Sequence, residues 1–206
     1  MKKRIRGMIF DFGGVLGLPQ KDEARNGMMV AVGIDEASFF QSYFDMRIEY
    51  DRGTISRREY WTEVLARVGI VISEEIFETL IVVDEESWVS ENCQMIDFIG
   101  RNRDRMEKLG ILSNMPRDFV PSIIRQFDWI SWFDYSLWSC DVHMVKPEQE
   151  IYLRTAEELG LSVADCLFID DSMINVEGAR AVGMEAIHYV NFESFLEEFK
   201  ANYRLE

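Results

Sequence analysis

The sequence predicts an α/β protein: a doubly wound parallel sheet interrupted by an all-helical insertion. Three observations carry this reading. Short, near-continuous apolar runs recur along the chain, as in parallel strands covered on both faces. Helical patterns separate them, and Gly160 and Gly183 stand where glycine commonly ends a helix. Between residues 20 and 89 the clear strand signal stops and only amphipathic helical patterns remain. Strands alternating with helices fold as right-handed βαβ units.

The first strand is expected at residues 6–11, Arg-Gly-Met-Ile-Phe-Asp. Within the insertion, residues 37–50 and 56–68 read as helices. Ser56 and Glu59 have the three-residue spacing of a capping box. The apolar runs 70–72 and 80–83 fit strand or helix on periodicity alone. Further strands are expected at 109–113, 135–138, 166–170 and 185–190. Helices are expected at 117–127, 147–159, 175–182 and 192–203. The resulting division is an α/β core of residues 1–19 and 90–206, with residues 20–89 as the helical insertion.

Composition narrows the function. The 206 residues include 22 Lys and Arg against 37 Asp and Glu, a net charge of −15. Such a chain lacks the basic face that nucleic acid or an anionic membrane requires. At 48% apolar it is no disordered tail. The basic start is followed by only Met8-Ile9-Phe10, whereas a signal peptide needs roughly 7–15 apolar residues. No run approaches the roughly 18 apolar residues of a membrane span. The expected compartment is the cytoplasm. Cys93, Cys140 and Cys166 are odd in number and lack C-x-x-C spacing, so they are expected to be reduced thiols. Monomer and homodimer are both compatible with the sequence.

In open α/β sheets, ligands bind beyond the carboxyl ends of the strands. Those ends carry Asp11-Phe-Gly-Gly, Ser113-Asn114, and Asp170-Asp171-Ser172, with Lys146-Pro147 in the loop after the third strand. Singly, each has a plain explanation as a turn, a cap or a helix start. Together, they place acidic groups, a hydroxyl and a lysine around one crevice. Converging carboxylates repel unless a cation lies between them. Oxygen ligands suit Mg²⁺, which takes one or two carboxylates plus substrate phosphate and water. A carboxylate beside such an ion can attack phosphorus. Ser113, Asn114 and Lys146 are then candidates to bind the phosphoryl group, Lys146 offsetting developing charge.

These motifs resemble those of the haloacid dehalogenase-like (HAD) hydrolase superfamily over essentially the whole chain. Phe10-Asp-Phe-Gly-Gly-Val-Leu16 resembles its first motif, Ile111-Leu-Ser-Asn-Met115 its second, Val145-Lys-Pro147 its third and Phe168-Ile-Asp-Asp-Ser-Met-Ile-Asn175 its fourth. The resemblance implies a Rossmann-like core with a helical cap over residues 20–89. It implies Asp11 as the nucleophile that forms an aspartyl-phosphate, with Ser113 and Lys146 as its catalytic partners. It implies Mg²⁺ held by Asp11, the Gly13 carbonyl, Asp171 and Asp170, with Asp171 the direct ligand. The segment Tyr50-Asp-Arg-Gly-Thr-Ile-Ser56 is similar to caps in the branch holding the phosphatase domain of soluble epoxide hydrolase and bacterial sugar-phosphate phosphatases.

One position departs from that pattern. Phosphatases of the superfamily usually carry a second Asp two residues after the nucleophile, as general acid and base, and this chain has Gly13. His143, Asp45, Glu49, Asp51 and solvent are candidate substitutes. His188 and the aromatic group Trp129, Trp132, Phe133 and Trp138 read as structural. The leading expectation is a Mg²⁺-dependent hydrolase of a small phosphorylated metabolite, such as a sugar phosphate. The alternatives are a metal-free 2-haloacid dehalogenase, against which the Asp170-Asp171 pair argues, and a catalytically weak phospho-ligand binder, which Gly13 motivates.

Overall fold

A computed structural model describes residues 2–34 and 36–205. Its centre is a five-stranded, wholly parallel sheet built from β2 (Gly7–Phe10), β3 (Lys108–Ser113), β4 (Tyr135–Trp138), β5 (Cys166–Asp170) and β6 (Glu185–His188). The strand order is β4-β3-β2-β5-β6. The chain winds outward one way from β2 through β3 to β4, and the other way through β5 to β6. The switch in direction therefore lies at β2, where a crevice opens at the carboxyl ends. This is the doubly wound α/β fold that the sequence predicts. Two short strands, β1 (Lys3–Arg4) and β7 (Tyr203–Arg204), pair in parallel beside it. Two residues each are too few for an apolar pattern, so this pairing is invisible in the sequence.

The buried strands explain the continuous apolar runs. Met8, Phe10, Ile111, Leu167 and Ile169 face one core layer, closed by α5 (Cys93–Asn102), α6 (Val120–Gln126) and α10 (Phe192–Asn202). Ile9, Leu112, Cys166 and Phe168 face the other, closed by α8 (Gln149–Glu158) and α9 (Met173–Ala181). Alternate residues go to opposite faces, and both faces are apolar because helices cover both. Trp129 and Trp138 lie in the first layer, with Trp132 and Phe133 packed against it, so the aromatic group fills core as expected.

Among the described residues of 20–89 there are four helices and no strand: α1 (Asp22–Val32), α2 (Glu36–Arg52), α3 (Arg57–Arg67) and α4 (Glu74–Ser87). Ser56 and Glu59 form the reciprocal capping box that their spacing predicts. The ambiguous run 80–83 falls in α4, while 70–72 lies outside any element. These helices enclose their own core of Phe39, Tyr43, Tyr60, Trp61, Leu65 and Leu80. The buried hydroxyls are satisfied: Tyr43 donates to Asp84 at 2.7 Å, and Tyr60 donates to the Tyr43 carbonyl at 2.9 Å.

Several boundaries differ from expectation. Helix α5 is absent from the sequence reading; Asn92 caps it by accepting from the Met95 amide. The helix expected from residue 117 begins at Val120, with Pro121 in its first turn. The helix expected from 147 begins at Gln149, because Glu148 is extended and its carboxylate accepts from the Val145 amide. The last sheet strand stops at His188 rather than at 190. A four-residue helix, α7 (Ser139–Val142), follows β4. Cys140 and Cys166 are buried thiols and Cys93 is exposed. Among the described residues no helix is long and apolar enough to cross a membrane.

Gly178 locks α9 against the loop that carries Lys146. A Cβ there would lie 2.8 Å from the Pro147 Cβ and 3.0 Å from both the Pro147 carbonyl and the Tyr152 hydroxyl. Alanine raises helix propensity by up to about 1 kcal/mol, but overpacking against a rigid proline costs about 1–3 kcal/mol. Gly178→Ala is therefore expected to lower stability in urea denaturation; an equal or higher midpoint would show that the loop yields.

Candidate active site

Four segments meet at the carboxyl end of the sheet. Asp11 follows β2, and its amide donates to the Ile169 carbonyl of β5 at 2.9 Å. The register pairs Phe10 with Ile169, so the next residues, Asp11 and Asp170, stand side by side. Asp11 continues the face of Ile9, and Asp170 that of Phe168, by the two-residue period of a strand. Both carboxylates therefore point the same way, toward the layer that holds Lys146. The Lys146 Nζ lies 2.8 Å from Asp11 Oδ1 and 2.7 Å from Asp170 Oδ2. All three are buried.

The loop holding Lys146 is clamped by Asn114. The Lys146 amide donates to Asn114 Oδ1 at 2.8 Å, and Asn114 Nδ2 donates back to the Lys146 carbonyl at 3.1 Å. Asn114 lines the cavity as the sequence suggests, yet its amide is chiefly spent on positioning that loop. Ser113 ends β3, buried, at the cavity wall. Gly14 has φ 76° and runs so close to Asp171 that a Cβ there would collide with its carboxylate. His188 donates from Nε2 to the Asp171 carbonyl at 2.9 Å, which gives this histidine a structural task.

The two neighbouring aspartates differ in what they have free. Asp170 accepts from the Ser172 amide at 2.8 Å, from Asn175 at 3.0 and 3.2 Å, and from Lys146. Both its oxygens are already engaged, so it orients Lys146. Asp171 opens toward solvent and the cavity. One oxygen from each of Asp11, Asp170 and Asp171 falls within a 4.8 Å cluster. Three carboxylates against one ammonium leave an excess charge of −2, and the donors are hard oxygens. That set fits a divalent cation such as Mg²⁺. Asp11 and Asp171 have the free oxygens, and Gly13 contributes backbone to the same wall.

The electrostatics agree. Burial pushes the Asp11 carboxyl up to about 8 against the pull of Lys146, with Asp170 adding to the rise. Burial alone would lower Lys146, but Asp11 and Asp170 outweigh it and hold the ammonium charged. Asp171 is raised by burial and then by Asp170.

A cavity of about 390 Å³ covers the cluster, walled on the cap side by Phe44, Arg47, Asp51 and Trp88. Of the substitutes for the acid absent at Gly13, Asp51 lines this cavity. Asp45 accepts from Gln41 on the cap surface, and Glu49 accepts from Thr54. His143 is exposed and donates from Nδ1 to the Arg52 carbonyl at 3.0 Å, outside the cavity wall. Sequence reasoning missed Arg47 and Trp88; neither belongs to a motif, and only the packing of the cap brings them here. Trp88 closes the space at Gly13, its ring 3.3 Å from where a Cβ would stand.

An aspartate after the first strand, an ion-paired lysine and an acidic pair at a switch point define a class of carboxylate-centred α/β hydrolases. Residues 5–183 match the haloacid dehalogenase-like hydrolase family, and the chain belongs to it. It is similar to the putative phosphatase YhcW of Bacillus subtilis (strain 168), 30% identical over 90 residues, 44% of this chain and 41% of that protein. It is also similar to phosphoglycolate phosphatase of Escherichia coli (strain K12), 28% identical over 91 residues, 44% of this chain and 36% of that protein. The matched region spans less than half the length of these curated relatives. In fold it resembles the HAD family enzyme BT-2542 of Bacteroides thetaiotaomicron, with TM-score 0.77 and 20% identity, covering 94% of this chain and 99% of that one. That enzyme has also been solved in complex with magnesium and inorganic phosphate. The L-2-haloacid dehalogenase of Xanthobacter autotrophicus shares the fold at TM-score 0.69 and 18% identity, covering 96% of this chain and 83% of that one.

A carboxyl group whose folded pKa is raised is stabilising below its unfolded value, and that stability is lost as pH rises through the folded value. In EDTA, stability is therefore expected to fall between about pH 4 and pH 8 as Asp11 ionises in its buried site. Mg²⁺ should raise the melting temperature more at pH 8 than at pH 5, and Asp11→Asn should remove that difference. A Mg²⁺ shift independent of pH would contradict this account.

Proposed function

We propose that the protein hydrolyses the phosphomonoester of a small metabolite with Mg²⁺, through an aspartyl-phosphate on Asp11. One observation carries the reading: the buried Asp11 carboxylate stands at a cavity wall, 2.8 Å from an ammonium and clustered with Asp170 and Asp171. A bound divalent cation would draw charge from the phosphoryl oxygens and lower the repulsion between that group and Asp11. The chain's own residues supply the rest. Asp11 attacks phosphorus as the nucleophile. Lys146 and Ser113 hold phosphoryl oxygens, and Lys146 offsets charge as the bond to the leaving oxygen lengthens. Asp170 and Asn114 keep Lys146 in place. The magnesium and phosphate complex of the Bacteroides enzyme and the phosphatase names of the curated relatives support this assignment.

The leaving group would occupy the cap side of the cavity. There, Arg47 Nη2 lies 2.8 Å from Asp51 Oδ1 among the aromatic rings of Phe44, Trp88 and Phe119. Donors beside acceptors suit hydroxyl groups, which favours a polyhydroxylated metabolite such as a sugar phosphate. The fold is shared with a haloacid dehalogenase, so fold alone does not separate the two chemistries; the acidic pair favours phosphate.

Purified protein with Mg²⁺ is expected to release phosphate from p-nitrophenyl phosphate and from members of a sugar-phosphate panel. EDTA should stop the reaction, and Asp11→Asn should reduce it at least about 10³-fold, as for loss of a nucleophile. Metal-independent chloride release from 2-chloropropionate would favour the dehalogenase instead. Phosphate binding without turnover across the panel would leave a binding protein.

A further inference from the structure

Breaking a phosphomonoester of an alcohol leaves an alkoxide unless a proton reaches the leaving oxygen. Solvent or a side chain of the cavity can supply that proton, and the wall shows which side chain is placed to do so. The titratable side chains lining it are Asp11, Arg47, Asp51, Lys146 and Asp171. Asp11 and Asp171 belong to the acidic cluster. Lys146 is held by two carboxylates. An arginine does not release its proton at ordinary pH. At Gly13 the adjoining space is taken by Trp88, whose indole is no acid. Asp51 remains.

Resting on the hydrolase reading above, we propose that Asp51, delivered from the cap, is the general acid and base of this site. In the first half-reaction, Asp11 Oδ bonds to phosphorus as the bond to the leaving oxygen breaks. The Asp51 carboxyl gives its proton to that oxygen, which departs as the neutral alcohol. In the second, water attacks phosphorus, the bond to Asp11 breaks, and the Asp51 carboxylate takes the water's proton. Inorganic phosphate leaves and both aspartates are restored.

The placement of Asp51 suits the task. It lies in the last turn of α2, and its carbonyl accepts from Ser139 Oγ, which in turn accepts from the Met115 amide at 2.9 Å. A cap residue is thereby pinned to the rim of the core. Its side chain is oriented by Arg47, whose Nε and Nη2 both reach Asp51 Oδ1, at 3.0 and 2.8 Å. Arg47 itself donates to the Tyr43 hydroxyl at 3.1 Å, and Tyr43 donates to Asp84. Gln20, at the entry to the cap, donates to Tyr43 at 3.0 Å and to Ser87 at 2.9 Å. This buried chain fixes the guanidinium, and the guanidinium fixes Asp51. Burial raises the Asp51 carboxyl against the pull of Arg47 and Lys146. The carbonyl end of α2 disfavours a carboxylate there too.

The test is the dependence of kcat/KM on the leaving group, measured with Mg²⁺ from p-nitrophenyl through phenyl to alkyl phosphates. p-Nitrophenolate leaves unaided, whereas an alkoxide needs the proton. Asp51→Asn is expected to lower turnover of alkyl phosphates about 10²–10⁴-fold while p-nitrophenyl phosphate falls less than about tenfold. Both rates come from one preparation, so their ratio is independent of the folded fraction. Asp51→Glu, which keeps the acid, should restore much of the ratio; Asp11→Asn should abolish both rates alike. Equal losses on both classes in Asp51→Asn, with Asp11→Asn still inactive, overturn the role of Asp51 and leave the hydrolase reading intact. A wild-type protein inert toward every ester overturns both.

Discussion

Everything at this site depends on one buried ammonium shared by two buried carboxylates. Lys146 reaches Asp11 and Asp170 at hydrogen-bonding distance, where none of the three is open to bulk water. Removing charges from water is costly, and only close opposite charge with further hydrogen bonds repays it. The surroundings are built to meet that condition. Asp170 is saturated by Ser172, Asn175 and Lys146. Asn114 grips the Lys146 backbone from both sides. Gly14 leaves room for the Asp171 carboxylate. Asp11 stays at the cavity wall while its neighbours position Lys146.

The same constraint bears on how an acidic protein can hold a phosphoryl group at all. A net charge of −15 repels a phosphoryl group at long range. Locally, Lys146 supplies positive charge among the clustered oxygens, and a cation held there would add to it. Elsewhere, exposed acidic residues pair with bases at the surface, as Glu74 does with Arg58, and such pairs contribute little to stability.

The four helices of residues 20–89 enclose their own aromatic core, yet polar residues among them face the rest of the chain. Arg52 grips Glu148 with two bonds at 3.0 and 2.7 Å, and Tyr50 donates to Asp118 at 3.1 Å. These contacts seat α2 on the core, which is how Arg47 and Asp51 come to roof a cavity whose floor is made by strand ends. The floor carries the residues that match the family's motifs, and the roof carries residues that belong to none of them.

The amino-acid sequence by itself determined the α/β class, the five sheet strands to within a residue or two, the helical character of residues 20–89, the strand-end positions of Asp11, Ser113, Asp170 and Asp171, and the loop position of Lys146. These are local properties: continuous apolar runs mark strands buried on both faces, and chemistry-bearing residues sit at fixed offsets from strand ends. Only the tertiary structure decided the rest. The pairing of β1 with β7 joins segments about two hundred residues apart and leaves no periodic trace. Asp170 and Asp171 are neighbours in sequence, yet one is saturated by backbone and side-chain donors and the other open, a difference set by register and by the turn into α9. Asp45, Glu49 and Asp51 were equivalent on the helical pattern of α2. Asp51 alone of the three faces the site, because cap docking through Ser139 and Glu148 sets the rotation of that helix, and docking is a long-range contact that no local pattern records.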